Sequence, residues 1–395
     1  MDESLSHFFV LNLIMKLPVY LDYNATTPVD ERVLEKMLPY FSENFGNASS
    51  RSHLHGWTAQ EAVENARTQV AELIHANAKE IVFTSGATEA NNLAIKGLFE
   101  LFYPNKNHII TAQTEHKAVL DVCQYLEKKG CEVTYLKPDS TGLISIDQIE
   151  KAIRSDTFLI SMMYANNEIG TIQAVKEIGE LARKNDILFH TDATQAIGKI
   201  DVDVVINKID LLSLSGHKFY APKGIGALYI KKNSKANKLI AQMDGGRHER
   251  GYRSGTLNVT GIVGLGMAGQ VAKEVLLTDN QHITSLRDRL EQGLIQHISE
   301  TKINGNLKNR LPNLTNISIS GVDGEKLLDS FRDIAVSSGS ACTSASVEPS
   351  HVLKAIGVED SLAYSSIRFS LGKYTTEEEI DFTIDYVRKV VESLR

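Results

Sequence analysis

Several kinds of residue are scarce in this chain, and each scarcity argues against a class of protein. Cysteine occurs only three times in 395 residues, as Cys123, Cys131 and Cys342, and no pair has Cys-x-x-Cys spacing. An odd number of cysteines without such a pair builds neither a disulfide framework nor a typical zinc site. This cysteine content is best suited to the reducing cytoplasm.

Long apolar segments are also missing. The one nearest the start, Phe8 to Ile14, is interrupted by Asn12 and is shorter than the roughly 18 residues that span a bilayer. Asp2 and Glu3 stand where a targeting signal would carry positive charge, and Met15 is an alternative start. We therefore expect a soluble protein with no membrane partner, in which residues 1–14 are dispensable.

The chain has no excess of positive charge. Lys and Arg total 42 against 49 for Asp and Glu, a net charge of −7 that argues against nucleic acid as the main partner. Hydrophobic residues are 42% and charged residues 23%, proportions at which a large globular core forms. At about 150 residues per domain, the length indicates two or three domains.

From about residue 80 to 230, short apolar runs alternate with helix-length amphipathic stretches, which predicts an α/β fold with a parallel sheet. Beyond about residue 275, long charged helices at 285–298 and 377–394 alternate with short strands, including one at 335–338. This change predicts a second, smaller domain that encloses a cleft with the first.

A small-residue turn follows the strand predicted at 81–84. Ser85, Gly86, Ala87 and Thr88 lead from this strand into a helical pattern. Free N–H groups at a helix start and the Thr88 hydroxyl favour a phosphate, and Gly86 allows its close approach. The turn has neither a Walker nor a dinucleotide-binding glycine pattern, and an ordinary capped helix is the simpler reading of this turn alone.

Two charged residues follow predicted strands at the sheet edge where α/β proteins bind ligands. Asp192, after the strand at 187–189, could hold the protonated nitrogen of a heterocycle, and a helix N-cap explains it equally well. Lys218 follows another strand. A partly desolvated lysine near other cations loses basicity and can form a Schiff base. Most lysines are simply solvated, but Lys218 follows the strand that comes next after the Asp192 strand, and this position favours the Schiff-base role.

Three more residues follow predicted strands at the same edge. His116 could stack on a flat cofactor or transfer protons, although most single histidines are structural. Asn166 and Asn167 supply two amides, or form a turn.

Cys342 lies in a run of small residues from Ser337 to Ser346 that buries little. We therefore expect a mobile tether on which a thiol could carry sulfur, the alternative being a loop without function. Cys123 and Cys131 are expected to be buried and inert. Arg368, on a short strand, suits a substrate carboxylate or a structural ion pair.

Together these segments resemble the cysteine desulfurases, pyridoxal-phosphate enzymes of the IscS and NifS type in the class V aminotransferase superfamily, and in particular the IscS branch. The match extends from Met15 over nearly the whole chain. Its motifs are LDYNATTPVD from Leu21, FTSGATEANNLAIKG from Phe83, TEHKAVLD from Thr114, NNEIG from Asn166, DATQ from Asp192, SGHK from Ser215, HERGYRSGT from His248 and SSGSACTSAS from Ser337.

The resemblance implies a fold-type I transferase dependent on pyridoxal 5'-phosphate. A large, mostly parallel sheet domain at residues 28–275 would bind the cofactor, and a smaller α+β domain from residues 1–27 and 276–395 would carry the Cys342 loop. Lys218 would hold the cofactor and remove the substrate α-proton. His116 would stack on the ring and serve as acid and base, and Cys342 would be the nucleophile.

The resemblance further implies a binding set. Arg368, with Asn167, would bind the carboxylate of L-cysteine. Thr256 would reach the phosphate bound by the other protomer, which requires a homodimer. The implied cofactor-binding residues are Ala87, Thr88, His116, Asn167, Asp192, Gln195, Ser215, Gly216, His217, Lys218 and Thr256.

The activity implied is conversion of L-cysteine to L-alanine with a persulfide on Cys342, supplying sulfur for iron–sulfur cluster assembly and tRNA thiolation. Cys342 would also be a transient metal ligand of a [2Fe–2S] cluster shared with a scaffold protein. Selenocysteine lyase and other fold-type I enzymes are alternatives, as is a regulatory protein that binds the cofactor without turnover. The thiol of Cys342 favours the desulfurase over these.

A few positions depart from the family pattern. Arg247 and Ala221 stand where glycine is usual, and Ala48 replaces a proline. These changes concern loop shape, because none is an implied catalytic residue. IscS proteins usually have a C-terminal tail that docks the scaffold, whereas this sequence ends at Arg395, so the family pattern does not predict how a scaffold would dock.

Overall fold

The computed structural model describes residues 16–338 and 349–395, which form sheets of seven, three and two strands. In chain order the strands are β1 (Val19–Tyr20), β2 (Ile81–Thr84), β3 (His108–Ala112), β4 (Glu132–Leu136), β5 (Thr157–Ser161), β6 (Leu188–Asp192), β7 (Leu211–Ser215), β8 (Gly226–Ile230), β9 (Thr301–Ile303), β10 (Leu314–Ile319), β11 (Ile334–Ala335) and β12 (Ser366–Ser370). The helices are α1 (Glu31–Met37), α2 (Pro39–Ser42), α3 (Leu54–Leu73), α4 (Ala87–Phe102), α5 (Lys117–Glu127), α6 (Ile146–Ala152), α7 (Val175–Lys184), α8 (Val259–His297), α9 (Gly324–Ser330), α10 (His351–Ala355), α11 (Asp360–Tyr364) and α12 (Glu377–Leu394).

The seven-stranded sheet has the order β2-β8-β7-β6-β5-β3-β4. Its neighbours are parallel except that β8 runs antiparallel to both β2 and β7. The parallel strands β3, β5, β6 and β7 are buried along their length, as expected for a sheet covered on both faces. The prediction of a mostly parallel α/β sheet is confirmed.

Helices cover this sheet through apolar faces. In α7 the buried residues include Val175, Ile178, Leu181 and Ala182, which follow helical spacing and leave the charged residues outside. Such spacing is what the sequence pattern can predict. The described helices include none that is long and apolar enough to cross a membrane.

A second core lies against the three-stranded sheet, in the order β12-β10-β9, and the two-stranded pair of β1 with β11. Helix α8 connects the two cores. Gly266, near its start, packs so closely on α3 that a Cβ there would lie 2.6 Å from the Ala66 Cα, while Leu286 and Leu290, nearer its end, belong to the second core.

Two predicted element boundaries differ from the structure. The helix expected to begin at residue 285 begins at Val259, because the small residues of its first half are packed against α3 rather than forming a loop. The strand expected at 335–338 pairs with β1 only as Ile334–Ala335 and then makes a single bridge from Ser337 to Arg368. The proposed domain boundary after residue 275 falls within α8, and the division into two domains stays a prediction.

The segment that follows β8 contains strained backbone. Arg247, Glu249 and Arg250 all have φ between 47° and 58°, the left-handed region that favours glycine. A buried ion pair holds the segment, since both oxygens of Glu249 accept hydrogen bonds from the Arg67 guanidinium, at 2.7 and 2.8 Å, and the Phe83 amide donates to the same carboxylate. The family's usual glycine at position 247 is therefore explained by the backbone, because this position adopts a left-handed conformation that glycine takes up without strain.

Replacing Arg247 by Gly should therefore stabilise the protein. Removing the Cβ relieves a strain of roughly 1–2 kcal/mol, and the greater freedom of glycine in the unfolded chain offsets part of this gain. We expect the free energy of unfolding, measured by urea titration, to rise by about 0.5–1 kcal/mol. Arg332→Gly is the control, because Arg332 is exposed and its φ is not positive. Glycine relieves no strain there, so this variant should be less stable than the unsubstituted protein. A loss of stability in both variants would show that no strain is stored at position 247.

Candidate active site

A cavity of about 560 Å³ opens at the carboxyl edge of the seven-stranded sheet. Strands β6 and β7 end there, and the loops after β2, β3 and β5 turn over it. The predicted site residues that line it are Ala87, Thr88, His116, Asn167, Asp192, Gln195, Ser215, His217, Lys218 and Arg368. Residues that lie far apart in the sequence are therefore collected around one space.

Of the site residues implied by the resemblance that the structure describes, Gly216 and Thr256 are not in this lining. Gly216 packs inward, where an added Cβ would lie 2.9 Å from the Ala221 side chain. Thr256 is exposed outside the cavity. Cys342 lies outside the described residues.

Asp192 is the last residue of β6, which extends three residues beyond the predicted strand end at Phe189, and it is only 6% exposed. Asn91 of α4 donates to its Oδ2 at 2.8 Å, and the Thr194 amide donates to Oδ1 at 3.0 Å. The carboxylate therefore caps the turn that follows β6, rather than a helix, and it also lines the cavity.

Lys218 follows β7 and is half-buried. Its Nζ donates to the backbone carbonyls of Asn24 and Ala25, each at 2.7 Å. These carbonyls belong to the LDYNATTPVD motif, so the motif holds the lysine amine at the cavity wall.

The predicted phosphate turn has the expected form. Gly86 is the N-cap of α4 with φ 157°, and no side chain caps this helix start. Gly226 of β8 passes so closely that a Cβ there would lie 2.7 Å from the Gly86 Cα. The free N–H groups of α4 can therefore receive an anion, which the simpler reading of an ordinary capped helix does not explain.

His217 lies at the same end of the cavity, with Nδ1 3.1 Å from the Thr26 hydroxyl. Burial, together with the charges of Lys218, Lys223 and Lys199, lowers the pKa of His217 to about 4. The ring is therefore neutral at physiological pH and can donate a hydrogen bond from one nitrogen. Positive charge in this region comes from the lysines.

His116 is the N-cap of α5, and its Nδ1 accepts a hydrogen bond from the Ala118 amide at 3.1 Å. In the neutral ring this contact places the proton on Nε2. The turn after β3 thus sets the tautomer of a histidine that lines the cavity.

Arg368 lies on β12 and is 3% exposed. Its Nη2 donates to Asp22 at 2.7 Å and its Nη1 to the Asn167 carbonyl at 3.2 Å, while its buried Nε has no hydrogen-bond partner within the described part of the chain. The structural ion pair considered from the sequence is present, and the guanidinium retains capacity for a further acceptor.

Several contributors were not singled out from the sequence. Asn24, Asn91 and Lys199 occur within or beside the quoted motifs, but nothing in their local pattern separates them from structural residues. Asn24 comes from the first strand region and Asn91 from a helix face, and only the folded chain places each beside its partner.

Glu168 is a further buried acid behind the cavity, only 4% exposed. The Ser350 hydroxyl donates to it and also caps α10, accepting from the amides of Val352 and Leu353. Burial raises the pKa of Glu168 to about 7, although Ser350, Arg368 and His116 oppose this rise. The carboxyl therefore joins the loop after β5 to the start of α10.

Glu168 should make stability depend on pH near neutrality. Its folded pKa lies above the ordinary unfolded value, so its contribution is fully present below pH 4 and is lost as the pH rises through 7. We expect the free energy of unfolding of Glu168→Gln, relative to the unsubstituted protein, to increase by roughly 2–3 kcal/mol between pH 4 and pH 8.5. Glu177→Gln, at an exposed position, is the control and should show a constant difference. A constant difference for Glu168→Gln as well would contradict this assignment.

Comparison with known proteins shows the family to which the chain belongs. A family model described as aminotransferase class-V matches residues 19–382. Cysteine desulfurase IscS from Shewanella sp. (strain MR-4) is 56% identical over 383 residues, which cover 96% of this chain and 94% of that protein. The IscS of Histophilus somni (strain 2336) matches with the same identity and coverage.

Solved structures agree with these relatives. A NifS-like protein, 40% identical, has a TM-score of 0.89 and covers 96% of this chain and 100% of its own. A structure described as SspA in complex with cysteine, 42% identical, has a TM-score of 0.80 and covers 91% of this chain and 100% of its own. Because these matches span nearly the full length of both chains, they confirm the resemblance drawn from the motifs. This chain belongs to the cysteine desulfurase family of IscS and NifS type, within the class V aminotransferases.

Proposed function

We propose that this protein is a pyridoxal-phosphate-dependent cysteine desulfurase that converts L-cysteine to L-alanine and holds the sulfur as a persulfide on Cys342. The observation that carries the proposal is a single cavity lined by the Lys218 amine, the Asp192 carboxylate and the His116 imidazole. The family is dependent on pyridoxal phosphate, and its members with 56% identity to this chain are cysteine desulfurases.

The residues present fit the cofactor. The uncapped start of α4, with Thr88, Ser215 and His217 nearby, suits a phosphate. The hydrogen-bonded Asp192 carboxylate suits a protonated ring nitrogen. Thr194 Oγ1, buried without a hydrogen-bond partner in the described structure, leaves a polar group for a ligand.

When bound, the cofactor supplies a ring that withdraws electrons from the substrate carbon attached to nitrogen. The chain's own residues prepare that step. Asp192 holds a proton at the ring nitrogen, and Lys218 accepts the α-proton of the substrate. Arg368 and the Asn167 side chain orient the substrate carboxylate, which places the α-carbon before the lysine amine.

Sulfur transfer requires no external oxidant. The Cys342 thiolate attacks the substrate sulfur and forms a sulfur–sulfur bond, while the carbon–sulfur bond breaks and its electron pair stays with the carbon fragment. Proton transfer, with His116 as acid and base, completes the products. Cysteine and a thiol thus give alanine and a persulfide, with all atoms and electrons balanced.

A homodimer is part of the proposal. Large apolar side chains are exposed along α1 to the start of α3, among them Phe41 at 64% and Phe45 at 67%. Single exposed apolar residues are common on protein surfaces, whereas a cluster of them marks an interaction surface. Thr256, far along the sequence from these apolar residues, is also exposed. It does not line the cavity of its own subunit. Pairing of two copies would cover the apolar face, and we assign Thr256 to the phosphate held by the partner subunit.

The further partners that we propose are an iron–sulfur scaffold protein and other sulfur acceptors, including those of tRNA thiolation. The family membership supports them. A reducing cytoplasm would keep Cys342 as a thiol, and the two described cysteines, Cys123 and Cys131, are free and buried. Burial raises the pKa of the Cys131 thiol to about 12, so neither is a candidate for the nucleophile. Cys342 would then be the cluster ligand shared with the scaffold.

Two substitutions separate cofactor attachment, assigned to Lys218, from sulfur transfer, assigned to Cys342. We expect the protein to be yellow and to release alanine from L-cysteine, and sulfide when a reductant is present. Cys342→Ser should keep the colour and lose at least about 100-fold in alanine formation, because its hydroxyl is a poor nucleophile towards sulfur. Lys218→Ala should lose the covalent attachment, and borohydride reduction with peptide mass mapping should mark Lys218 in the unsubstituted protein.

Cys131→Ser is the matched control, since a hydroxyl can still donate to the Asn107 carbonyl that the Cys131 thiol contacts at 3.2 Å. It should retain both colour and alanine formation. Equal alanine formation by Cys342→Ser and the unsubstituted protein would rule out the assigned nucleophile. Faster turnover of L-selenocysteine that persists in Cys342→Ser would instead indicate a selenocysteine lyase.

Thr256→Ala should weaken cofactor binding without dissociating the dimer. Loss of one hydrogen bond to a phosphate corresponds to roughly a tenfold change in affinity, measurable by absorbance titration of the apoprotein. Sedimentation should show the same dimer. Thr278→Ala, at an exposed position of α8, is the control and should bind the cofactor normally. A monomeric unsubstituted protein, or unchanged affinity in Thr256→Ala, would contradict the assignment.

A further inference from the structure

Lys199 lies behind the cavity wall and contacts two amide side chains. Its Nζ donates to Gln195 Oε1 at 2.5 Å and to Asn24 Oδ1 at 2.9 Å. Both acceptors are neutral, and no ion pair involves Lys199 within residues 16–338 and 349–395. A partly buried lysine without a carboxylate partner is uncommon and calls for a reason.

These contacts, together with Asn313 Nδ2, which donates to the same Asn24 oxygen at 3.0 Å, fix the orientation of both amides. The Gln195 Nε2 donates to the Asn24 backbone carbonyl at 3.0 Å, the same oxygen that accepts from Lys218 Nζ at 2.7 Å. The Asn24 Nδ2 donates to the Asn167 carbonyl at 3.1 Å. Turning either amide over would place an NH₂ group against the Lys199 donor and break these contacts.

Charge provides a second link to Lys218. Burial, and then the positive charges of Lys218 and Arg368, lowers the pKa of Lys199 well below its ordinary value. The other titratable groups that line the cavity are Glu89, His116, Asp192, His217 and Lys223; Glu89 pairs with Arg253, and Asp22 pairs with Arg368. Each positive charge in this group disfavours the others, so a proton on Lys199 disfavours a proton on Lys218, and the reverse.

We propose that Lys199 is a positioning residue for Lys218: its N–H groups hold the Asn24 and Gln195 amides that form the wall around the reactive amine, and a proton on Lys199 disfavours a proton on that amine. The inference rests on the proposed function, in which the Lys218 amine reacts. A lysine that merely fills space would hold neither amide nor affect the titration of Lys218.

Three variants separate these roles. Lys199→Met removes the donors and the charge, Lys199→Gln keeps an N–H donor without the charge, and Lys199→Arg keeps both. Competitive acetylation of the full-length apoprotein across pH, followed by mass mapping of the Lys218 peptide, reports the apparent pKa of the Lys218 amine. We expect it to rise by roughly half to one unit in Lys199→Met and Lys199→Gln and not to rise in Lys199→Arg, because the guanidinium remains charged.

The amide-holding role has its own readout. Cofactor affinity should fall about tenfold in Lys199→Met and be largely restored in Lys199→Gln, because the glutamine amide can still donate to one of the two oxygens. In the holoprotein, the pH midpoint of the visible absorption band should move in the same direction as the acetylation midpoint. Lys208→Met, which removes a surface lysine paired with Glu180, is the control and should change none of these values.

If the apparent pKa of Lys218 is unchanged in both Lys199→Met and Lys199→Gln, Lys199 does not affect the charge on the Lys218 amine. If cofactor affinity is equal in all variants, Lys199 does not hold the Asn24 and Gln195 amides in place. The failure of the proposed function is a separate result: the unsubstituted protein would then bind no cofactor and release no alanine. The acetylation experiment still reports the relation between Lys199 and Lys218 in that case, because it uses the apoprotein.

Discussion

The site depends on the parallel arrangement of β3, β5, β6 and β7. Parallel strands bring their carboxyl ends to one edge, and the loops that follow them must turn over that edge. Asp192 and Ser215 end two of these strands, and the turns after the others carry His116 and Asn167. If β6 ran in the opposite direction, its acid would lie at the far side of the sheet from the phosphate turn.

The polar groups at this edge are expensive to bury, and the structure compensates for each with hydrogen bonds. Asp192 receives two N–H donors, and Lys218 rests on two backbone carbonyls. Arg368 contacts Asp22, while its Nε keeps no partner in the described chain. The remaining unpaired atoms point to positions where a ligand can complete the hydrogen bonding, because unsatisfied buried polar groups are otherwise rare.

Much of the fold could be predicted from local patterns. The strand at 81–84 and the helix at 377–394 match the structure at both ends, because each is bounded by a clear change in periodicity or a capping residue. Helix α8 was predicted too short, since its first half is rich in glycine and is stabilised by packing on α3 that no local pattern reveals. The motif residues around the cavity were found through the resemblance and through their positions after strands. Asn24, Asn91, Glu168 and Lys199 were missed, since each gains its meaning only from a partner distant in the sequence.

The sequence by itself determined the alternation of strands and helices, the glycine of the predicted phosphate turn and the identities of the groups that can react, because these follow from side-chain chemistry and short-range periodicity. Only the tertiary structure decided which groups meet. Asn24 lies 194 positions before Lys218, and Arg368 lies 346 positions after Asp22, yet each pair is in hydrogen-bond contact. Such contacts arise from strand order and from the packing of the second core on the first, which local propensity does not specify.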